Sequence, residues 1–147
     1  MIYWLTGQPA HGKTTLAEML VKHYRKRYTK VFHIDGDHLR QLTTNKDYSE
    51  QGRIDNVRTA QKIANFLHND NYDVVVSLVS PYRWLREEFK EKMGDDIVEY
   101  YIHTSEPRER DHFRVEGYEE PLENFISIDT TEDTPEESLI KILSNIP

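Results

Sequence analysis

The chain has 147 residues, 19 basic against 26 acidic side chains, a net charge of −7 and no cysteine. That length suits one compact domain, taken as residues 1–147, in which about 70% of the unfolded surface can be buried. The absence of cysteine excludes a disulfide scaffold, a thiolate nucleophile and a Cys-ligated metal, and the acidic balance argues against a nucleic-acid or membrane-surface partner. No apolar run approaches the ~20 residues that cross a bilayer. The start, Met1-Ile2-Tyr3-Trp4-Leu5, has neither a basic segment nor a small-residue cleavage site, so a cytoplasmic location is expected.

Ile2–Leu5 reads as a short buried strand that stops at Thr6-Gly7. A glycine-punctuated loop follows to Gly12, and from Thr14 the residues Leu16, Met19, Leu20, His23 and Tyr24 recur at helical spacing. Val31–Ile34 is a second strand, delivering Asp35-Gly36-Asp37 at its end. Glu50–Asn69 carries Ile54, Val57, Ala60, Gln61, Ala64 and Leu67 on one helical face. Tyr72–Val79 is the most continuous β-branched run, apolar on both faces as a central parallel strand must be. Arg83–Met93 reads as a helix capped by Gly94, and Ile97–Ile102 as a fourth strand. The charged segment Thr104–Glu123 gives no clear element; Phe125–Ile128 is a fifth strand and Pro135–Ile146 a closing helix. Strands alternating with helices predict an α/β fold around a parallel sheet.

Gly7-Gln8-Pro9-Ala10-His11-Gly12-Lys13-Thr14 fits G-x-x-x-x-G-K-[ST] at every position, between a predicted strand and a predicted helix. Glycines let the backbone wrap a polyphosphate, while peptide N–H groups and the helix start supply positive potential. Lys13 would reach the β- and γ-phosphates, and the Thr14 hydroxyl would hold Mg²⁺. Gly7 through Thr15 is thus the expected donor-nucleotide loop. Asp35 and Asp37 at the end of the second strand could take a proton and help hold the metal, and Arg40 could grip an anionic acceptor; the bland alternative is a helix N-cap, more plausible at Asp37. No aspartate closes the third strand. Arg83 and Arg86 beyond it face either phosphate or solvent. The seven histidines show no zinc-binding spacing.

Together these motifs resemble the adenylylsulfate kinase family of P-loop kinases. The match runs through Asp35-Gly36-Asp37-His38-Leu39-Arg40, Tyr48-Ser49, Arg53-Ile54-Asp55-Asn56-Val57-Arg58 and Val79-Ser80-Pro81-Tyr82-Arg83. The resemblance implies a three-layer fold with a five-stranded parallel sheet in the order 2-3-1-4-5. It implies phosphorylation of a nucleotide's ribose 3′-hydroxyl by ATP with Mg²⁺, with adenylylsulfate as acceptor and a place in sulfate assimilation. By carry-over Asp35 is the general base and shares the metal with Thr14, while Asp37, Arg40, Arg53 and Asn56 bind the acceptor. Tyr48 would stack on its base, and the backbone at Val79-Ser80 would read the base edge. Arg110 would lie on the ATP adenine and Phe113 would supply a second stacking face.

The chain departs from the family in a shortened lid, residues 104–123, so another acceptor stays open: a pyrimidine nucleoside diphosphate derivative or a modified mononucleotide. A nucleotide-binding switch without transfer activity is the reading from another class. Oligomeric state is not legible, and a homodimer is compatible with the sequence.

Overall fold

Val74, Val75 and Val76 are each fully buried, although consecutive strand residues point to opposite faces. The strand that carries them must lie between two apolar layers. The computed structural model, which describes residues 1–9, 12–27, 30–105 and 115–146, shows both.

The strands are β1 (Ile2–Thr6), β2 (Val31–Asp35), β3 (Asp73–Ser77), β4 (Ile97–His103) and β5 (Ile126–Asp129). They form one sheet in the order β2-β3-β1-β4-β5, every neighbouring pair parallel. The helices are α1 (Lys13–Arg25), α2 (Gly36–Thr43), α3 (Glu50–Asn69), α4 (Arg83–Met93) and α5 (Pro135–Leu143). On one face Tyr3 and Leu5 of β1 pack with Val75, Tyr100 and Ile102 beneath Leu16, Leu20 and Tyr24 of α1 and Ile142 of α5. On the other, Ile2 and Trp4 pack with Val74 and Val76 beneath Val57, Ala60 and Ala64 of α3 and Leu85 and Phe89 of α4. The alternation of Ile2-Tyr3-Trp4-Leu5 between these cores is why the strand is apolar throughout.

Sequence expectation and structure differ in places. Helix α2 was not expected; it is eight residues long and buries only Leu39, too little for a periodic signal. The third strand ends at Ser77 rather than Val79, and Ser80, at φ 45, turns the chain out of the sheet. The closing helix ends at Leu143 rather than Ile146, and its start is fixed by a capping box between Thr134 and Glu137. Of the expected lid, residues 106–114 fall outside the described residues, and 115–123 contain no helix or strand. Among the described residues no helix is long and apolar enough to cross a membrane.

Candidate active site

The carboxyl ends of β1, β2 and β3 open into one cleft of about 690 Å³. Strand β1 delivers Gly7, whose φ of 151 and position against β4 admit no side chain: a Cβ would sit 2.2 Å from the Ile102 carbonyl oxygen. Gly12, at φ 100, is the N-cap of α1 and aims that helix start at the cleft. Pro9, Gly12, Lys13, Thr14 and Thr15 line this side. Lys13 is 8% exposed, and its Nζ donates to the Gln8 carbonyl at 2.8 Å. Desolvation pushes its ammonium down to about 8, against the opposing pull of Asp37 and Asp35.

Strand β2 ends at Asp35, which is also the N-cap of α2: Oδ2 accepts the His38 N–H at 3.3 Å. Its Oδ1 accepts the Thr14 hydroxyl at 3.1 Å and the Ser77 hydroxyl at 3.1 Å. Asp35, not Asp37, therefore makes the cap, and the capping role and the site role coincide in one side chain. Asp37 stands exposed in the first turn and lines the cleft. Ser77 Oγ also lies 2.7 Å from His33 Nε2. The hydroxyl has one proton and gives it to Asp35, so His33 Nε2 must be the donor in that contact. Burial holds the His33 imidazole below its ordinary range, with Asp35 and Glu18 pulling the other way. His33 and Ser77 are site residues that the sequence reading passed over; Ser77 faces Asp35 in the ladder, where an aspartate was sought.

The acceptor residues expected from the motifs line the far half of the same cleft: Arg40, Tyr48, Arg53, Asn56, Val79 and Ser80. Arg40 has a second task. Its Nη1 donates to Asn45 O, Asn45 Oδ1 and Asp47 O at 3.2, 3.2 and 2.9 Å, and its guanidinium covers the Tyr48 ring at 4.0 Å. Tyr48 remains 63% exposed, with one face on Arg40 and the other open to a stacking partner. Gly52 permits this loop, because a Cβ there would lie 2.1 Å from the Asp47 carbonyl. Asn56 is 6% exposed, yet its Oδ1 has no hydrogen-bond partner among the described residues. A buried orphan acceptor on the wall of a cleft is what a ligand hydroxyl would satisfy.

Arg86 turns into the fold, while Arg83 stays partly exposed. Arg86 is 2% exposed; its Nε donates to Glu99 Oε2 at 3.0 Å and its other nitrogens to the Ser80 and Glu119 carbonyls. Lys90 Nζ completes the buried cluster at 2.8 Å from Glu99 Oε1. Arg83 Nε donates to the Glu120 carbonyl at 2.6 Å. These cations are structural, pinning the Ser80 loop and residues 119–120 to the sheet. The Val79 carbonyl is likewise taken, by the Thr6 hydroxyl at 2.7 Å. Ala10, His11, Arg110 and Phe113 lie outside the described residues.

Thr14 and Asp35 offer oxygen donors side by side at the mouth of the phosphate loop, a set suited to a hard cation such as Mg²⁺. No cluster of three or more His, Cys, Asp or Glu that could hold a metal occurs among the described residues.

The family model described as adenylylsulphate kinase matches residues 1–142. The cytidine diphosphoramidate kinase of Campylobacter jejuni is 29% identical over 143 residues, 95% of this chain and 84% of that one. An adenylyl-sulfate kinase of Gloeothece citriformis is 36% identical over 102 residues, 69% of this chain and 57% of that one. Among solved structures, the Mycobacterium tuberculosis APS kinase in complex with AMPPNP and APS superposes with a TM-score of 0.83 at 20% identity, over 97% of this chain and 95% of that one. The cleft and these likenesses agree: the chain has the P-loop kinase fold, is a nucleotide kinase rather than a passive switch, and belongs to the adenylylsulphate kinase family.

Proposed function

We propose that the protein transfers the γ-phosphoryl group of ATP to the ribose 3′-hydroxyl of a nucleotide, with adenylylsulfate, the acceptor of the family, as the first reading. The observation that carries it is the meeting of Asp35 with the phosphate loop: its carboxylate is 3.1 Å from the Thr14 hydroxyl, in a cleft shared with Tyr48, Arg53 and Asn56. The ribose oxygen attacks Pγ, the bond from Pγ to the β-γ bridging oxygen breaks, and ADP leaves. Asp35 takes the hydroxyl proton, and its three hydrogen bonds hold the carboxylate at the cleft wall. Lys13 and the loop N–H groups stabilise charge on the β- and γ-phosphates. Thr14 and Asp35 would hold Mg²⁺, which supplies further neutralisation of the phosphate oxygens.

A cytidine diphosphate derivative is the second reading, favoured by the Campylobacter relative, which matches nearly the whole chain. The base-edge loop agrees with it. The Val79 and Ser80 carbonyls are already bound by Thr6 and Arg86, while their N–H groups have no partner among the described residues. Two neighbouring N–H donors suit the adjacent O2 and N3 acceptors of cytosine, whereas adenine sets its donor amine beside a ring nitrogen. Incubation with γ-labelled ATP and each acceptor separates the readings. Label in 3′-phosphoadenylylsulfate supports the first, label in the cytidine product the second, and label in neither removes both acceptor readings.

A further inference from the structure

Residues Val115–Pro121 form a strap across the ends of β1 and the Ser80 loop, held at two places by different groups. Its middle is fixed from the fold interior. The Glu119 N–H donates to the Pro81 carbonyl at 2.9 Å, and Arg86 donates to the Glu119 carbonyl. The Tyr118 hydroxyl lies 2.9 Å from Thr6 Oγ1, which spends its own proton on Val79, so Tyr118 is the donor there. Burial pushes the Tyr118 phenol up, which keeps that proton in place.

The end of the strap that faces the cleft is fixed from the phosphate loop. Gln8 Nε2 donates to the Val115 carbonyl at 2.9 Å, and Gln8 Oε1 accepts the Val115 N–H at 2.9 Å. This is the reciprocal pairing that a neighbouring strand would make, formed by one side chain across 107 residues of sequence. Gln8 is 7% exposed, and Val115 lines the cleft in which the phosphate-loop residues Lys13 and Thr14 meet Tyr48, Asn56 and Ser80. The Gln8 amide thus commits its oxygen and one of its two N–H donors to Val115.

We propose that Gln8, although it sits in the donor loop, is a positioning residue for the acceptor nucleotide: through Val115 it sets one wall of the acceptor half of the cleft. The inference rests on the nucleotide-kinase reading above. A side chain that fills the same space without hydrogen bonds leaves both Val115 backbone groups unpaired and frees that wall, while the contacts at Tyr118 and Glu119 persist. The Lys13 bond to the Gln8 carbonyl is a main-chain contact and survives the substitution.

Gln8→Met tests this. Steady-state kinetics should show the KM for the acceptor raised about tenfold in Gln8→Met, with the KM for ATP within about twofold. Amide hydrogen exchange should accelerate at Val115 and stay unchanged at Glu119, which shows that the chain is folded and only the strap end is released. An unchanged acceptor KM despite faster Val115 exchange overturns the proposal, as does a loss confined to ATP. If the wild-type protein transfers to neither acceptor, both acceptor readings fail, and Gln8 is judged by equilibrium binding of the same two nucleotides to protein loaded with a non-hydrolysable ATP analogue. Weaker binding in Gln8→Met then supports the positioning role; equal or absent binding overturns it.

Discussion

Binding of the donor triphosphate should draw a proton from solution above pH 8, and that proton should belong to Lys13. Desolvation holds the Lys13 ammonium at about 8 rather than 10.5, so the free protein loses this charge between pH 7 and 9. The unprotonated fraction is then about 0.1 at pH 7 and about 0.9 at pH 9. A bound triphosphate places several negative charges against Nζ and favours the ammonium, restoring the proton. The complex takes up what the free site lacks, and affinity falls about tenfold per pH unit above 8. The same linkage makes the unbound fold gain from alkali: the burial penalty on the charged amine is full below pH 8 and relaxes as pH rises towards 10.5. Isothermal titration with a non-hydrolysable ATP analogue, in two buffers of different ionisation enthalpy, reads the uptake directly. Phosphate groups, with a second pKa of about 6, are about nine-tenths ionised at pH 7 and essentially fully so at pH 9, so they contribute little to the uptake at the higher pH. Equal uptake at pH 7 and pH 9, or an uptake that survives Lys13→Met, would refute the assignment.

Three further outcomes are expected. Asp35→Asn should lower phosphoryl transfer by about 10²- to 10⁴-fold while the affinity for an ATP analogue measured without Mg²⁺ changes little, because the amide keeps the shape but not the base; initial rates close to wild type would remove Asp35 from the chemistry. Glu99→Ala strands Arg86 in the interior without its anion and leaves Lys90 only Glu87, at a cost of about 3–5 kcal/mol and roughly 10–16 °C in Tm. A calorimetric loss of only a degree or two would mean that the cluster relaxes into water. Gly52→Ala drives a Cβ into the Asp47 carbonyl and should displace the Tyr48 loop, raising the acceptor KM and sparing ATP binding; unchanged acceptor kinetics would show that Tyr48 needs no fixed platform.

The donor half of the site was legible because its information is contiguous. Eight successive residues, Gly7 to Thr14, carry the glycines, the cation and the hydroxyl that meets Asp35, and the strand before them and helix after them are periodic in their own right. The sheet was legible for a similar reason, since a strand buried on both faces shows as an unbroken apolar run such as Val74-Val75-Val76. The acceptor half draws on α2, the 45–48 loop, α3, the Ser80 loop and the strap. Only the family resemblance brought those residues together. No local rule says that Arg40 will lie under Tyr48, or that Asn56 will leave an acceptor unpaired.

Arg86 shows what a stricter reading of the chain could have found. An arginine one turn into a helix is ordinarily solvated, and nothing around Arg83–Met93 marks it otherwise. The signal lies in β4. Ile97-Val98-Glu99-Tyr100-Tyr101-Ile102 is an apolar strand interrupted by one carboxylate, and a strand beside β1 is covered on both faces. A carboxylate there must be neutral or paired, because an isolated buried charge is too costly to keep. Two cations spaced four apart on the helix immediately before it, Arg86 and Lys90, project from one face and can reach it together. The buried triad could therefore be inferred from charge balance across an element pair rather than from any motif. The same inference explains why the Ser80 loop holds its shape: its carbonyl completes the donor geometry of an arginine already fixed by Glu99. A group that never meets the substrate thus sets the floor on which the base would rest.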